Sequence, residues 1–97
     1  EYRTLAKDDS WLSNAFGRET VTISVHEDVR NDERAYYQAC ETIFLKYQGR
    51  PHWGKVHYAQ GADFLQNYPR WLDWWRVRDD FDPAGRFLND FLASIRP

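Results

Sequence analysis

The chain has 97 residues, of which 42% are hydrophobic and 18% aromatic, with five Trp among them. This length allows at most one domain, and a body this small cannot easily bury so many large rings, so some of them are expected to face a partner. Thirteen basic and 15 acidic residues are interspersed and give a net charge of −2, which argues against a nucleic-acid partner, and no apolar run approaches the ~20 residues of a membrane span.

Two strands are predicted in the first third of the chain. Residues 19–27 alternate strictly, with Val21, Ile23 and Val25 on one face and the polar side chains on the other, namely Thr20, Thr22, Ser24 and His26. Residues 1–7 form a less regular strand that places Glu1 and Arg3 on the same side. The intervening residues 8–17 are rich in turn formers but include Trp11, Leu12 and Phe16, so a packed loop or short helical turn is expected there.

A helix is predicted over residues 32–48. Its apolar positions follow the spacing of one helix face and are Tyr36, Ala39, Cys40, Ile43, Phe44 and Tyr47. Asn31 or Asp32 can cap its start, and Gly49 suits the left-handed position that often ends a helix.

The second half of the chain is predicted to be mainly helical. Pro51 ends the preceding helix, and residues 52–58 have the composition of a short strand interrupted by Gly54. Helices are expected over 62–67, from Pro69 to about Asp79, and over 87–95, with a turn at 82–85. The expected fold class is α+β, with a small antiparallel or mixed sheet packed by helices.

Three side chains near the strands could bind a polyhydroxyl ligand. Glu1 and Arg3 lie about 7 Å apart on one strand face, where they would offer an acceptor and a forked donor. If the two strands are neighbours, His26 joins them on one concave surface. Spacing alone favours the alternative that Glu1 and Arg3 form a surface ion pair on an edge strand.

A second candidate site is the tetrapeptide His52-Trp53-Gly54-Lys55, which combines a proton carrier, a stacking surface, a flexible point and a cation. Strict alternation would place His52 and Lys55 on opposite faces, whereas a bulge at Gly54 could redirect the lysine toward a pocket. The residues alone favour a structural role over a catalytic one. No close-spaced pair of ligands occurs among His26, His52, His57 and Cys40, so no metal site is predicted.

Several stretches together resemble one family, the aldonolactone and alditol oxidases of the vanillyl-alcohol-oxidase flavoprotein group. In chain order they are Glu1-Tyr2-Arg3-Thr4, Trp11-Leu12-Ser13, Phe16-Gly17-Arg18-Glu19-Thr20-Val21, Arg50 to Lys55, Tyr68-Pro69-Arg70 and Asp82-Pro83-Ala84-Gly85-Arg86-Phe87-Leu88-Asn89. Each stretch is weak alone, but the set is specific because it runs in family order over essentially the whole chain.

The resemblance implies an FAD-dependent oxidoreductase that oxidises a CH–OH group of a gulono- or arabinono-type aldonolactone, or of an alditol, by hydride transfer to flavin N5. It implies that residues 1–97 are the C-terminal, substrate-binding part, inactive alone. The N-terminal domain that holds most of the FAD would be its partner and is absent from this chain. Dioxygen or another electron acceptor would reoxidise the flavin.

The resemblance also implies roles for five residues. Glu1 and His26 would bind the substrate, Arg3 and Lys55 would hold and polarise the oxygen that is oxidised, and His52 would lie beside the flavin. Alditol oxidases carry a Thr where this chain has His26, and the larger, titratable side chain favours an aldonolactone.

An alternative from another class is a non-catalytic carbohydrate-binding module that stacks sugars on Trp53 and on Trp71, Trp74 and Trp75. Aromatic residues at helical spacing are more often core residues, however. The single cysteine, Cys40, fits a reducing compartment and favours the cytoplasm.

Overall fold

The computed structural model describes residues 1–97 as one two-stranded sheet and four helices. The elements are β1 Tyr2–Leu5, β2 Thr20–Ile23, α1 Arg34–Lys46, α2 Gly61–Asn67, α3 Trp71–Phe81 and α4 Asp90–Ser94. The sheet is antiparallel, so the predicted α+β class with a small antiparallel sheet is confirmed. None of the helices has the length and apolarity needed to cross a membrane.

The hairpin aligns the two strands as their alternation predicts. Tyr2 lies opposite Ile23, and Arg3 lies opposite Thr22. Both strands are shorter than predicted: the pairing extends by one backbone bond, from Ser24 N to Glu1 O at 2.9 Å, and the chain then leaves the sheet. Tyr2 and Ile23 share the apolar face, and they remain 67% and 52% exposed.

The loop between the strands is packed, as predicted, and is organised by Asp8. One carboxylate oxygen accepts the backbone N–H of Ser10 at 3.0 Å, and the other accepts the hydroxyl of Ser13 at 2.5 Å. An isolated parallel bridge joins Asp8 to Phe16, and the small side chain of Ala15 is buried beneath the loop.

Helix α1 confirms the predicted helix but corrects three details of it. The residue at its N-terminal cap is Glu33, whose side chain makes no capping bond, and not Asn31 or Asp32. The left-handed residue after the helix is Gln48, with φ 57°, and not Gly49. Gly49 is required by close approach instead, because a Cβ there would lie 2.7 Å from the Phe44 carbonyl oxygen. The predicted apolar face is also not buried: α1 has no buried residue, and Tyr47 is 81% exposed.

The strand predicted over residues 52–58 is wrong. The structure has a turn there, in which Lys55 N donates to His52 O at 2.9 Å. Pro51 has no N–H to offer a strand partner, and the N–H of Gly54 is taken by the His52 side chain. Aromatic and β-branched content is therefore not enough to make a strand at this position.

Helices α2 and α3, together with residues that flank the helices, build the core. Its buried members are Ala59, Phe64, Tyr68, Trp71, Trp75 and Ile95. Helix α3 begins at Trp71, so Pro69 lies in the turn before it and not at its first position. The last helix is shorter than the predicted 87–95, because Leu88 N bonds to Gly85 O in a turn and Asn89 then caps α4 by accepting from Leu92 N at 2.8 Å.

The tryptophan cluster belongs to this core. Trp71 is 1% exposed and Trp75 is 3% exposed, and Trp71 stacks on Phe64 with ring centroids 4.8 Å apart. A sugar cannot stack on rings that other side chains already cover. The proposed stacking platform is therefore wrong for Trp71 and Trp75.

Candidate functional site

Glu1 and Arg3 form an exposed carboxylate–guanidinium pair on the polar face of the hairpin. Arg3 Nη2 lies 2.5 Å from Glu1 Oε1. The hydrogen bond from Arg3 holds the pKa of the Glu1 carboxyl below its usual value. Glu1 is therefore an anionic acceptor at neutral pH, and the guanidinium, which bonds to no other group in the chain, keeps further N–H donors free for a ligand.

His26 lies close enough to this pair to act on it electrostatically. Its charge adds to the effects that lower the Glu1 pKa. Strand pairing explains the proximity: Ser24 bonds to Glu1 across the hairpin, and His26 follows two residues later. The structure thus shows Glu1 and Arg3 as the exposed surface ion pair that their spacing favours, with His26 in the segment that follows the paired end of β2.

His52 and Lys55 occupy the turn described above, which we call the His52–Lys55 turn (residues 52–55). The N–H of Gly54 donates to His52 Nδ1 at 3.1 Å, so a neutral His52 carries its proton on Nε2. The imidazole also stacks on Trp53, with ring centroids 6.0 Å apart. No hydrogen bond or ion pair connects this turn to the Glu1–Arg3 pair, and Lys55 takes part in none of the seven ion pairs of the chain.

The segment that leads into this turn is fixed by the half-buried side chain of Arg50 and the buried side chain of Tyr68, neither of which was predicted as a site residue. The guanidinium of Arg50 donates to three carbonyl oxygens, those of Asn14, Phe16 and Asn67, at 2.8 to 3.1 Å. Desolvation by burial lowers the pKa of Arg50, and the nearby charge of Arg18 lowers it further.

Tyr68 completes this anchorage. Its hydroxyl donates to Pro51 O at 2.7 Å, and burial raises the pKa of Tyr68 to about 12. Both Arg50 and Tyr68 lie in stretches that carry the family resemblance, and that was the one available signal of their importance.

Glu41 fixes the segment that leaves the turn. Its two carboxylate oxygens accept the backbone N–H groups of Tyr58, at 2.9 Å, and of Ala59, at 3.0 Å. Glu41 lies within α1, and no sequence pattern marks it, because its partners are 17 and 18 residues away.

Two of the open concavities on the surface have volumes of about 420 and 400 Å³. The first is lined by Thr4, Leu5, Ala6, Glu19, Thr20 and Val21, and the second lies beside α1. None of the five predicted site residues lines either one. No group of three or more His, Cys, Asp or Glu side chains is placed to hold a metal ion.

The surface of the chain is larger than its mass requires. A folded protein of 11.7 kDa is expected to expose about 5,900 Å², whereas this chain exposes 7189 Å² and buries only 8 of its 97 residues. The difference, about 1,300 Å², exceeds the ~800 Å² that one partner contributes to a standard interface. The exposed apolar side chains of the hairpin and of α1 contribute to it.

The sequence of this chain is similar to those of several known oxidoreductases. The sequence model of the D-arabinono-1,4-lactone oxidase family matches residues 1–95. An L-gulono-1,4-lactone dehydrogenase of Mycobacterium tuberculosis is 46% identical over 95 residues, which are 98% of this chain and 22% of that protein. An L-gulonolactone oxidase of Mus musculus is 35% identical, covering 98% of this chain and 22% of that protein. An alditol oxidase of Streptomyces is 35% identical, covering 98% and 23%. The chain thus spans less than a quarter of the length of these relatives.

Proposed function

Because this chain belongs to the D-arabinono-1,4-lactone oxidase family, we propose that it is the C-terminal, substrate-binding part of an FAD-dependent oxidoreductase. The reaction is oxidation of a CH–OH group of an aldonolactone or an alditol. The observation that carries the proposal is the exposed Glu1–Arg3 pair, with His26 two residues after the Ser24–Glu1 backbone bond, since a carboxylate, a guanidinium and an imidazole together can bind several hydroxyl groups of one sugar.

Each of these residues has a defined task in the reaction. The carboxylate of Glu1 accepts hydrogen bonds from substrate hydroxyls. Arg3 and Lys55 would donate to the oxygen of the group that is oxidised, and their positive charge would stabilise the negative charge that develops there as the hydroxyl proton passes to solvent and the hydride leaves the carbon. His26 fixes a neighbouring hydroxyl.

FAD, when bound, supplies flavin N5 as the hydride acceptor. The chain offers a fitting contact for it: the His52 imidazole is exposed, stacks on Trp53 and has Nε2–H free to donate, because Gly54 occupies Nδ1. The chain contains no Gly-rich phosphate cradle, so most of the FAD contacts must come from elsewhere.

The partner of this chain is the N-terminal FAD-binding domain of the same protein. The surplus of exposed surface supports this proposal, because it exceeds the area that one partner contributes to a standard interface. It includes the apolar side chains of Tyr2 and Ile23 on the hairpin and of Tyr47 directly after α1. The free thiol of Cys40 agrees with a cytoplasmic protein.

Two experiments test the proposal. The full-length protein should show visible flavin absorption, and a colourless protein that binds no FAD on reconstitution would disprove it. His26→Thr should then shift the kcat/KM preference from L-gulono-1,4-lactone toward xylitol, since it restores the smaller side chain of alditol oxidases. If wild type already oxidises xylitol far faster than the lactone, the preference for an aldonolactone is wrong.

A further inference from the structure

The His52–Lys55 turn has little internal structure to determine where its side chains point. It contains one backbone hydrogen bond, from Lys55 N to His52 O, and one side-chain bond, from Gly54 N to His52 Nδ1. It belongs to no helix or strand. The orientation of Lys55 therefore depends on how the two ends of the turn are held.

The end before the turn is held by the hydroxyl of Tyr68. This side chain is 1% exposed and packs against Phe64 and Trp71 in the core. It donates to Pro51 O at 2.7 Å, one residue before His52. Because the ring is packed within the core, its hydroxyl connects the turn to the close-packed part of the protein.

The end after the turn is held by the carboxylate of Glu41. It accepts two consecutive backbone N–H groups, those of Tyr58 and Ala59, three and four residues after Lys55. A carboxylate is the side chain that suits two adjacent N–H donors, because both of its oxygens are acceptors. The side-chain amide of a glutamine at this position would accept only one of the two N–H groups, because its NH₂ group is itself a donor.

We propose that Glu41 and Tyr68 are positioning residues for Lys55, holding the two ends of the His52–Lys55 turn so that its ammonium group meets the substrate oxygen. The proposal rests on the proposed function, in which Lys55 touches the substrate. Neither residue contacts the substrate itself: each acts through the backbone on one side of the turn.

The test uses the full-length protein and two nearly isosteric variants, Glu41→Gln and Tyr68→Phe. Gly85→Ala is the matched control, because it strains a turn between α3 and α4, where φ is 64°, without touching residues 50–60. Lys55→Ala is the reference for loss of the lysine. The rate of flavin reduction at saturating L-gulono-1,4-lactone, the KM and the hydrogen exchange of residues 52–60 are measured for all of them.

The expected result is a reduction rate that falls on the order of 10- to 100-fold in both variants, since misplacement of a reacting group by about 1 Å has an effect of that size. KM should change much less. Hydrogen exchange of Tyr58 and Ala59 should rise on the order of tenfold in Glu41→Gln, as the loss of one hydrogen bond implies. Gly85→Ala should match wild type in all three measurements.

Two different failures are distinguishable. If the flavin of wild type is not reduced by any aldonolactone or alditol, the proposed function is wrong and the role of Lys55 falls with it. If wild type is reduced and Lys55→Ala is slow, but Glu41→Gln and Tyr68→Phe react as fast as Gly85→Ala, the proposed function stands and the positioning role is overturned.

Discussion

The free energy of unfolding should fall at alkaline pH because of one side chain, Tyr68. Its pKa is raised from 10.0 to about 12 by burial, so the folded protein retains the phenolic proton over a pH range in which the unfolded chain loses it. The contribution of Tyr68 to the free energy of unfolding is therefore fully present below pH 10, the pKa in the unfolded chain. It is lost as the pH rises toward about 12, the pKa in the folded protein.

The magnitude follows from the size of the shift. One pKa unit corresponds to about 1.4 kcal/mol, so the contribution lost is about 1.4 kcal/mol at pH 11 and between about 2 and 3 kcal/mol at pH 12. The variant Tyr68→Phe has no such proton. At neutral pH it should be less stable than wild type by about 1 kcal/mol, because Pro51 O loses its hydrogen bond.

These two effects have opposite signs, so the stabilities of wild type and Tyr68→Phe should converge with rising pH and become equal near pH 11. The measurement is urea unfolding of the full-length protein and the variant at pH 8, 10 and 11. Other tyrosines titrate equally in both proteins and cancel in the difference. A difference in stability that stays constant between pH 8 and pH 11 would refute the reasoning.

Three further substitutions test the packing and the charges. Gly61→Ala should lower the free energy of unfolding by about 1 to 3 kcal/mol, because its Cβ would lie 2.2 Å from the Arg96 carbonyl oxygen. Gly17→Ala is the control, since it meets no atom within 4 Å and strains only φ. Trp71→Ala should cost about 3 to 5 kcal/mol by urea unfolding, and a loss below 1 kcal/mol would mean that the ring is not a core residue. Asp82→Asn should destabilise the protein at neutral pH, because Asp82 accepts the N–H groups of Phe87 and Arg86 and pairs with Arg78, and its pKa is lowered mainly by the bond from Phe87. The difference in Tm between wild type and Asp82→Asn should shrink as the pH falls below about 4, because the carboxylate of wild type becomes protonated. An undiminished difference in Tm at pH 3 would contradict a stabilising role for the ionised carboxylate.

Local patterns predicted the elements whose signals lie within a few residues. The alternation at residues 20–23 determines which side chains share a face, and the polar face of the hairpin therefore combines Glu1 and Arg3 as expected. The spacing of apolar residues likewise predicted the existence of α1, and Pro69 predicted a helix close to where α3 begins.

Predictions failed where a tertiary contact decides the outcome. Residues 52–58 have the composition of a strand but no strand to pair with, and the turn that forms is held by Glu41 and Tyr68 from elsewhere in the chain. The apolar face of α1 resembles a buried face, yet none of its residues is buried in this chain. Contacts between residues that lie far apart in the chain, such as those of Glu41 and Tyr68, leave no periodic signal in a single sequence.

The most direct test of the account is the reduction of flavin by substrate in the full-length protein. After anaerobic mixing with L-gulono-1,4-lactone, the visible flavin absorption of wild type should bleach, and Lys55→Ala and Arg3→Ala should bleach more slowly by on the order of 100-fold or more. Unchanged bleaching rates in both variants would contradict the roles assigned to these side chains, and the absence of flavin from the wild-type protein would contradict the proposed function itself.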